Sequence, residues 1–147
     1  MRLGLAAIGL WLISVWAMPA YAERYETYGD YQIHYNAVTT SFLQPEVAQA
    51  YNIVRSRYQA LVNIAVLKVN ADGSTTPVNA VVTGEAGNLA EQSRTLSFRT
   101  IREQEAIYSI ATFRFTEDEP TRFRLQVRAD PNQPPYELTF IDRFYAD

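Results

Sequence analysis

After residue 22 the sequence alternates between apolar and polar side chains with a period of two, and this alternation predicts β structure. In the stretch 31–37, tyrosine, isoleucine and alanine occupy the odd positions, whereas glutamine, histidine and asparagine occupy the even ones. Because successive side chains of a strand point to opposite faces, one face of this strand is apolar. The stretch 59–69 is apolar almost throughout, which predicts a central strand that is buried on both faces.

Turn-forming sequences divide the rest of the chain into further strands. NADGS, TEDEP and PNQPP combine the glycine, proline, asparagine and aspartate that tight turns favour. The predicted strands span 31–37, 59–69, 76–86, 94–101, 106–115, 121–130 and 136–145. About seven strands with this spacing predict an all-β fold, an immunoglobulin-like antiparallel β-sandwich, with a closed barrel as the alternative.

One short helix is predicted between the first two strands. Pro45 suits the first helical position, where its missing N–H is not needed, and Glu46 lies where the helix dipole favours an anion. Val47 and Tyr51 are four residues apart, so they share one face of the helix. We expect this face to close one end of the sandwich.

The alternation also predicts a register for the last three strands, if consecutive strands pair. Phe113 then lies opposite Leu125, Leu125 lies opposite Phe140, and all three point inward together with Ile64. Arg128 falls opposite Glu137 in this register. The outer face carries an arginine stripe, which consists of Arg114, Arg122, Arg124, Arg128 and Arg143.

Asp142 has the parity of the inward residues in the same register. A buried carboxylate without a partner is costly. We therefore expect Asp142 near the end of the sheet, where it reaches water or an arginine.

The first 22 residues have the features of a secretory signal peptide. Arg2 precedes an apolar run from Leu3 to Met18, and Ala20-Tyr21-Ala22 forms a small-x-small cleavage site. The run is shorter than the roughly 20 residues of a spanning helix, so we expect no stable membrane anchor after cleavage. Residues 23–147 are then expected to form a single β-sandwich domain in the periplasm.

Composition argues against several classes of function. The chain has no cysteine and one histidine, which rules out a thiol nucleophile and leaves a zinc site without its usual ligands. Neither a serine nucleophile elbow nor a glycine-rich phosphate loop occurs. The formal net charge of −3 disfavours nucleic acid as a partner. We expect a non-catalytic protein without a catalytic site, a metal or a cofactor.

Two groups of polar residues are candidates for a binding surface. One lies on the polar face of the first strand and at the start of the helix, and the other belongs to the arginine stripe, whose guanidinium groups suit carboxylate or phosphate. The candidates are His34, Asn36, Gln44, Glu46, Arg114, Arg122, Arg124 and Arg128. The predicted role is docking of a periplasmic protein through the arginine stripe or a sheet edge; the alternative is a small ligand bound between helix and sandwich.

Five segments resemble a family of small periplasmic proteins of gammaproteobacteria, catalogued as domain of unknown function 4426. They are YGDYQIHYNAV, FLQPEVAQAY, ALVNIAVLK, EAIYSIATF and LTFIDRFY, and they occur in this order over nearly all of residues 23–147. The resemblance implies a secreted single domain of mostly β structure. It implies no activity and assigns no catalytic residue.

Mass spectrometry of the exported protein tests the predicted cleavage. Because the small residues Ala20 and Ala22 fit the cleavage site, the mature N-terminus is expected at Glu23. Replacing Ala22 with a bulky residue should block processing at that bond. An unprocessed N-terminus in the membrane fraction of cells that make the wild-type protein would contradict the prediction.

Overall fold

The computed structural model describes residues 24–90 and 92–146, so the predicted signal peptide lies outside the described residues. Within these ranges the chain forms ten strands, a 3-10 turn at Thr40–Phe42 and one helix, α1, at Pro45–Ala50. The strands in chain order are β1 (Arg24–Tyr28), β2 (Tyr31–Thr39), β3 (Gln59–Val69), β4 (Thr75–Val78), β5 (Val81–Gly87), β6 (Ser93–Leu96), β7 (Arg99–Arg102), β8 (Ile107–Arg114), β9 (Thr121–Arg128) and β10 (Tyr136–Asp142).

These strands form two antiparallel sheets that pack face to face. The six-stranded sheet has the order β1-β2-β3-β8-β7, with β4 also paired to β3, and the four-stranded sheet has the order β10-β9-β5-β6. The predicted all-β sandwich is therefore confirmed. Helix α1 lies between β2 and β3, which correspond to the first two predicted strands, so its predicted position is confirmed.

Two of the predicted strands are each divided between the two sheets. The stretch 76–86 breaks at Asn79, and β4 pairs with β3 whereas β5 pairs with β9. The stretch 94–101 breaks at Ser97, and β6 pairs with β5 whereas β7 pairs with β8. At both breaks the chain passes from one sheet to the other. Together with β1, whose sequence RYETY is short and polar, these breaks explain why ten strands replace the predicted seven.

The main core lies between the sheets. β3 contributes Val62 and Ile64, and β9 contributes Phe123 and Leu125 from the opposite sheet. The predicted inward direction of Ile64, Phe113, Leu125 and Phe140 is confirmed, since all four side chains are buried in this cluster. The prediction that β3 is a central strand is also confirmed, because β2 pairs with one of its edges and β8 and β4 with the other.

Phenylalanine rings connect the two sheets through this core. Phe123 on β9 stacks on Phe140 of β10 with ring centroids 4.5 Å apart. It also meets Phe113 of β8 edge-on, at 5.4 Å and an interplanar angle of 73°. Phe144, beyond the end of β10, also meets Phe113 edge-on at 5.7 Å. Offset and edge-to-face arrangements are the favourable geometries for aromatic pairs.

The predicted register of the last three strands is wrong in its pairing, although its faces are right. β8 pairs with β3 and β7 and does not pair with β9, so Phe113 and Leu125 meet from opposite sheets. In the β9–β10 pair, Leu125 lies opposite Leu138 rather than Phe140. This is a shift of two residues, which leaves every side chain on its predicted face.

The shift also removes the predicted contact between Arg128 and Glu137. Glu137 lies opposite Gln126, and its carboxylate accepts a hydrogen bond of 3.1 Å from the Gln126 side-chain amide. Arg128 instead donates to the carbonyl of Pro131 at 3.2 Å.

A second apolar cluster lies on the outer face of the six-stranded sheet. Leu61 and Ile110 belong to it, and they alternate along their strands with residues of the main core. Leu43, Ala48 and Ile53, from the segment around α1, cover these side chains. Helix α1 therefore packs on an outer face of the sandwich. The expectation that it closes one end of the sandwich is wrong. Tyr51 packs against this cluster, as predicted, but Ala48 is the buried residue of the helix.

An ion pair joins the first and last strands across the two sheets. The Arg24 guanidinium donates to both carboxylate oxygens of Asp142, at 2.9 and 2.8 Å. It also lies over the rings of Tyr35 and Phe140, at 4.9 and 5.3 Å from their centroids. The hydrogen bond from Arg24 to Asp142 raises the pKa of the arginine. The prediction that Asp142 reaches an arginine at the sheet end is confirmed.

The mutation Phe113→Ala tests the inter-sheet packing. Because Phe113 is buried and meets Phe123 and Phe144, its truncation should lower the free energy of unfolding by about 3–5 kcal/mol. Urea denaturation measures the change. Ile141→Ala is the control, since this side chain is 49% exposed and its loss should cost less than about 0.5 kcal/mol. Equal effects of the two mutations would contradict the assigned core.

Candidate functional site

The eight residues predicted as a binding surface lie on opposite sides of the sandwich. His34 and Asn36 lie on the outer face of the six-stranded sheet, where α1 also packs. Arg122, Arg124 and Arg128 lie on the outer face of the four-stranded sheet, since they alternate with the buried residues of β9. The residues next to them in the sequence do not bring these two groups together. The structure therefore contains two separate candidate surfaces.

Arg114 does not belong to the arginine stripe as predicted. It ends β8, in the six-stranded sheet, because β8 pairs with β3 and not with β9. Its guanidinium lies 5.7 Å from the ring centroid of Tyr58, a residue that precedes β3. Arg122, Arg124 and Arg128 share one face of β9, whereas Arg143 lies just beyond β10 and forms an ion pair with Asp118 at 3.2 Å.

His34 is held within its own sheet. β2 lies between β1 and β3, so it is an interior strand of the six-stranded sheet. The half-buried His34 ring stacks on Tyr25 of β1, with centroids 4.9 Å apart. Its Nε2 lies 3.1 Å from the side-chain oxygen of Gln32. These contacts give His34 a structural role on the sheet surface.

The neighbouring asparagines are also engaged or enclosed. Asn36 accepts a hydrogen bond from the backbone N–H of Ala37 at 2.9 Å. Asn63 lies opposite Asn36 on β3, and its buried Oδ1 has no hydrogen-bond partner among the described residues. Asn63 is not among the residues predicted from the sequence, because it lies within a run that is otherwise apolar and predicts a buried strand.

Gln44 and Glu46 lie at the start of α1 and are exposed to solvent. The Gln44 carbonyl accepts the N–H of Ala48 at 3.0 Å, which is the first bond of the helix. Neither side chain makes a hydrogen bond or ion pair with another described residue. Nothing in the described contacts joins them to His34 in one site.

The other outer face contains a small groove beside β9. Its volume is about 130 Å³, and we call it the arginine groove. It is lined by Glu85, Gly87, Asn88, Ser93, Arg122 and Arg124. Two of the predicted site residues therefore share one concavity.

The groove exists because its far wall carries little side-chain volume. Gly87 of β5 lies opposite Arg122 of β9 on one side and opposite Ser93 of β6 on the other. Arg122 therefore faces a residue with no side chain and, beyond it, a residue with a small one. The two strands approach closely here, since a Cβ atom on Gly87 would lie 2.8 Å from the Cβ of Ser93. Only glycine fits without displacing β6.

The loop after Gly87 is braced by the side chain of Asn88. The Asn88 Oδ1 accepts hydrogen bonds from the backbone N–H groups of Ala90 and Gln92, both at 3.0 Å. Asparagine commonly stabilises turns in this way. The Gly-Asn pair is the sequence signal that could have located this wall of the groove.

The arginine groove has an uneven distribution of charge. Glu85 lies opposite Arg124, yet its carboxylate accepts a hydrogen bond from the Ser93 hydroxyl at 3.3 Å and forms no ion pair with that arginine. Neither Arg122 nor Arg124 forms a hydrogen bond or ion pair with another described residue. Two guanidinium groups are therefore left to bind an external acceptor.

Two further features of the described residues bear on function. No group of three or more histidine, aspartate or glutamate residues within 24–90 and 92–146 is placed to hold a metal ion. In the same part of the chain, no helix is long and apolar enough to cross a membrane.

Comparison with known proteins identifies the family. The family described as Domain of unknown function (DUF4426) matches residues 25–147. The chain belongs to the DUF4426 family. The resemblance predicted from the sequence is thereby confirmed. A search of the curated proteins finds no match to this DUF4426 chain.

Two solved structures are similar to this DUF4426 protein. The crystal structure of a DUF4426 family protein from Pseudomonas aeruginosa PAO1 has 34% sequence identity and a TM-score of 0.72, and the match covers 85% of this chain and 96% of that one. A copper-bound variant of FetP from uropathogenic Escherichia coli strain F11 has 9% identity and a TM-score of 0.55, with 84% and 95% covered. The second likeness shows a shared fold alone.

The mutation Gly84→Ala tests the strand spacing beneath the arginine groove. A Cβ atom on Gly84 would lie 2.3 Å from the carbonyl oxygen of Arg124, so β5 would have to move away from β9. We expect the free energy of unfolding to fall by at least about 1–3 kcal/mol, as measured by urea denaturation. Thr83→Ala, on the exposed face of the same strand, should change it by less than about 0.5 kcal/mol. Unchanged stability of Gly84→Ala would contradict the close approach.

Proposed function

We propose that this DUF4426 protein is a non-catalytic interaction module that is exported to the periplasm and docks another protein there. The observation that carries the proposal is the pair of arginines, Arg122 and Arg124, in an open groove without an ion-pair partner among the described residues. Arginine is enriched at protein interfaces because its planar guanidinium binds carboxylates through two parallel hydrogen bonds. Export is proposed from the signal-like sequence that ends at Ala22.

The size of the concavities favours a protein partner over a small ligand. Pockets for drug-sized ligands hold roughly 300–1,000 Å³. The arginine groove holds about 130 Å³, and a second concavity, which Tyr28, Ile33 and Val127 help to line, holds about 20 Å³. A groove of this size accommodates one side chain of a partner whose remaining contacts spread over the sheet surface.

The non-catalytic assignment rests on the residues available. General acid–base catalysis most often uses histidine, and the single histidine of this chain stacks on Tyr25 within a sheet. The two unpaired arginines can bind and orient an anion, but a guanidinium group keeps its proton at physiological pH. Binding is the chemistry that these side chains support.

Photo-crosslinking in the periplasm tests the proposal. A photoreactive residue is placed at position 95, on the exposed side of β6 next to Glu85, or at position 27, exposed on β1 of the other sheet. We expect a defined protein adduct from position 95 and none from position 27. The adduct should disappear in Arg122→Gln and persist in Arg128→Gln, which lies on the same strand outside the groove. Equal adducts from both positions, or none from position 95, would contradict the proposal.

A further inference from the structure

We infer that the arginine groove recognises a single carboxylate side chain within an acidic peptide segment of the partner. This inference rests on the proposed function and specifies the chemistry of the segment that docks. It is based on the charges, the hydrogen-bond donors and acceptors, and the position of the groove.

The charge of the groove matches a group with one negative charge. Arg122 and Arg124 contribute two positive charges, and Glu85 contributes one negative charge on the adjacent strand. A carboxylate would bring these four groups to electrical balance. A phosphate dianion would place excess negative charge beside Glu85, which is destabilising in a partly desolvated site.

The hydrogen-bonding groups match an amino acid within a peptide. The two guanidinium groups supply donors in the fork geometry that carboxylates accept. Glu85 supplies acceptor capacity beyond the single hydrogen bond from Ser93. An acidic residue of a peptide supplies both an acceptor and a donor. Its carboxylate can accept hydrogen bonds from the two arginines, and a backbone N–H can donate to Glu85. Inorganic phosphate lacks a backbone N–H, although its remaining hydroxyl group can donate one hydrogen bond.

The position of the groove also suits a peptide segment. Gly87 and Ser93 form a low wall toward β6, which is the edge strand of the four-stranded sheet. An approaching chain can therefore reach the arginines over this edge without displacing a large side chain. The exposed residues of this sheet face include the polar Thr83 and Thr139 and the apolar Val81 and Ile141, which are 63% and 49% exposed.

Titration calorimetry with a capped tri-aspartate peptide and its tri-asparagine counterpart tests the inference. We expect saturable binding of the aspartate peptide and at least tenfold weaker binding of the asparagine peptide, because charge-assisted hydrogen bonds are lost. Arg122→Gln and Arg124→Gln should each weaken aspartate binding about tenfold or more. Arg128→Gln is the matched control, from the same strand and face, and should change affinity less than about twofold. Thermal unfolding of each variant confirms that the fold is retained.

Inorganic phosphate provides the second probe. We expect it to compete poorly with the peptide for the wild-type protein. Removing the negative charge with Glu85→Gln should improve the binding of phosphate more than that of the peptide. Equal binding of the two peptides, equal losses in Arg124→Gln and Arg128→Gln, or displacement by phosphate at the peptide's own concentration would each overturn the inference.

The crosslinking experiment tests the proposed function, and the calorimetry tests the carboxylate inference, so each can contradict its own hypothesis alone. A crosslinked partner at position 95 without any preference for the aspartate peptide would leave the proposed function intact and overturn the carboxylate inference. Arginine-dependent peptide binding without a crosslinked partner would overturn the proposed docking role and retain carboxylate recognition as a property of the groove.

Discussion

The contact between phenylalanine rings across the two sheets is the interaction on which the structure depends. Phe123 stacks on Phe140 in its own sheet and meets Phe113 of the other sheet edge-on. The chain has no cysteine, so no disulfide can restrain the sheets, and their association rests on packing. Because side chains alternate along a strand, burying Phe123 and Leu125 inward obliges Arg122 and Arg124 to point outward. The core thereby presents the arginines on the outer surface.

A second contact joins the edge strands of the two sheets. The Arg24–Asp142 pair joins β1 to β10, and its guanidinium is enclosed by the rings of Tyr35 and Phe140. The paired side chains are 32% and 21% exposed, so the interaction is only partly screened by solvent. Arg24 lies two residues after the expected cleavage site. The beginning of the described chain is thus bound to its end, and both are held over the same aromatic cluster.

The sequence predicted which face each side chain occupies better than it predicted which strands pair. Alternation is a local property, and it placed Ile64, Phe113, Leu125 and Phe140 inward, where they are buried. Pairing depends on distant segments. The prediction joined consecutive strands β8 and β9, whereas the chain crosses between sheets after β8, and it treated β4 and β5 as one strand. The breaks within the two divided strands, at Asn79 between β4 and β5 and at Ser97 between β6 and β7, have no strong turn signal in the sequence. β1 was missed because its charged residues stabilise the sheet edge through partners at the far end of the chain.

The candidate site shows the same division between local and distant information. Parity predicted that Arg122, Arg124 and Arg128 share a face, and they do, but nothing local distinguishes the first two from the third. The distinction comes from neighbouring strands. Beside Arg122, Gly87 leaves space, whereas Arg128 lies opposite Val81 and reaches the carbonyl of Pro131. Glycine is required at position 87 because β6 approaches closely, and the same absence of a side chain opens the groove. One steric requirement of the hairpin therefore determines which arginines remain available to a partner.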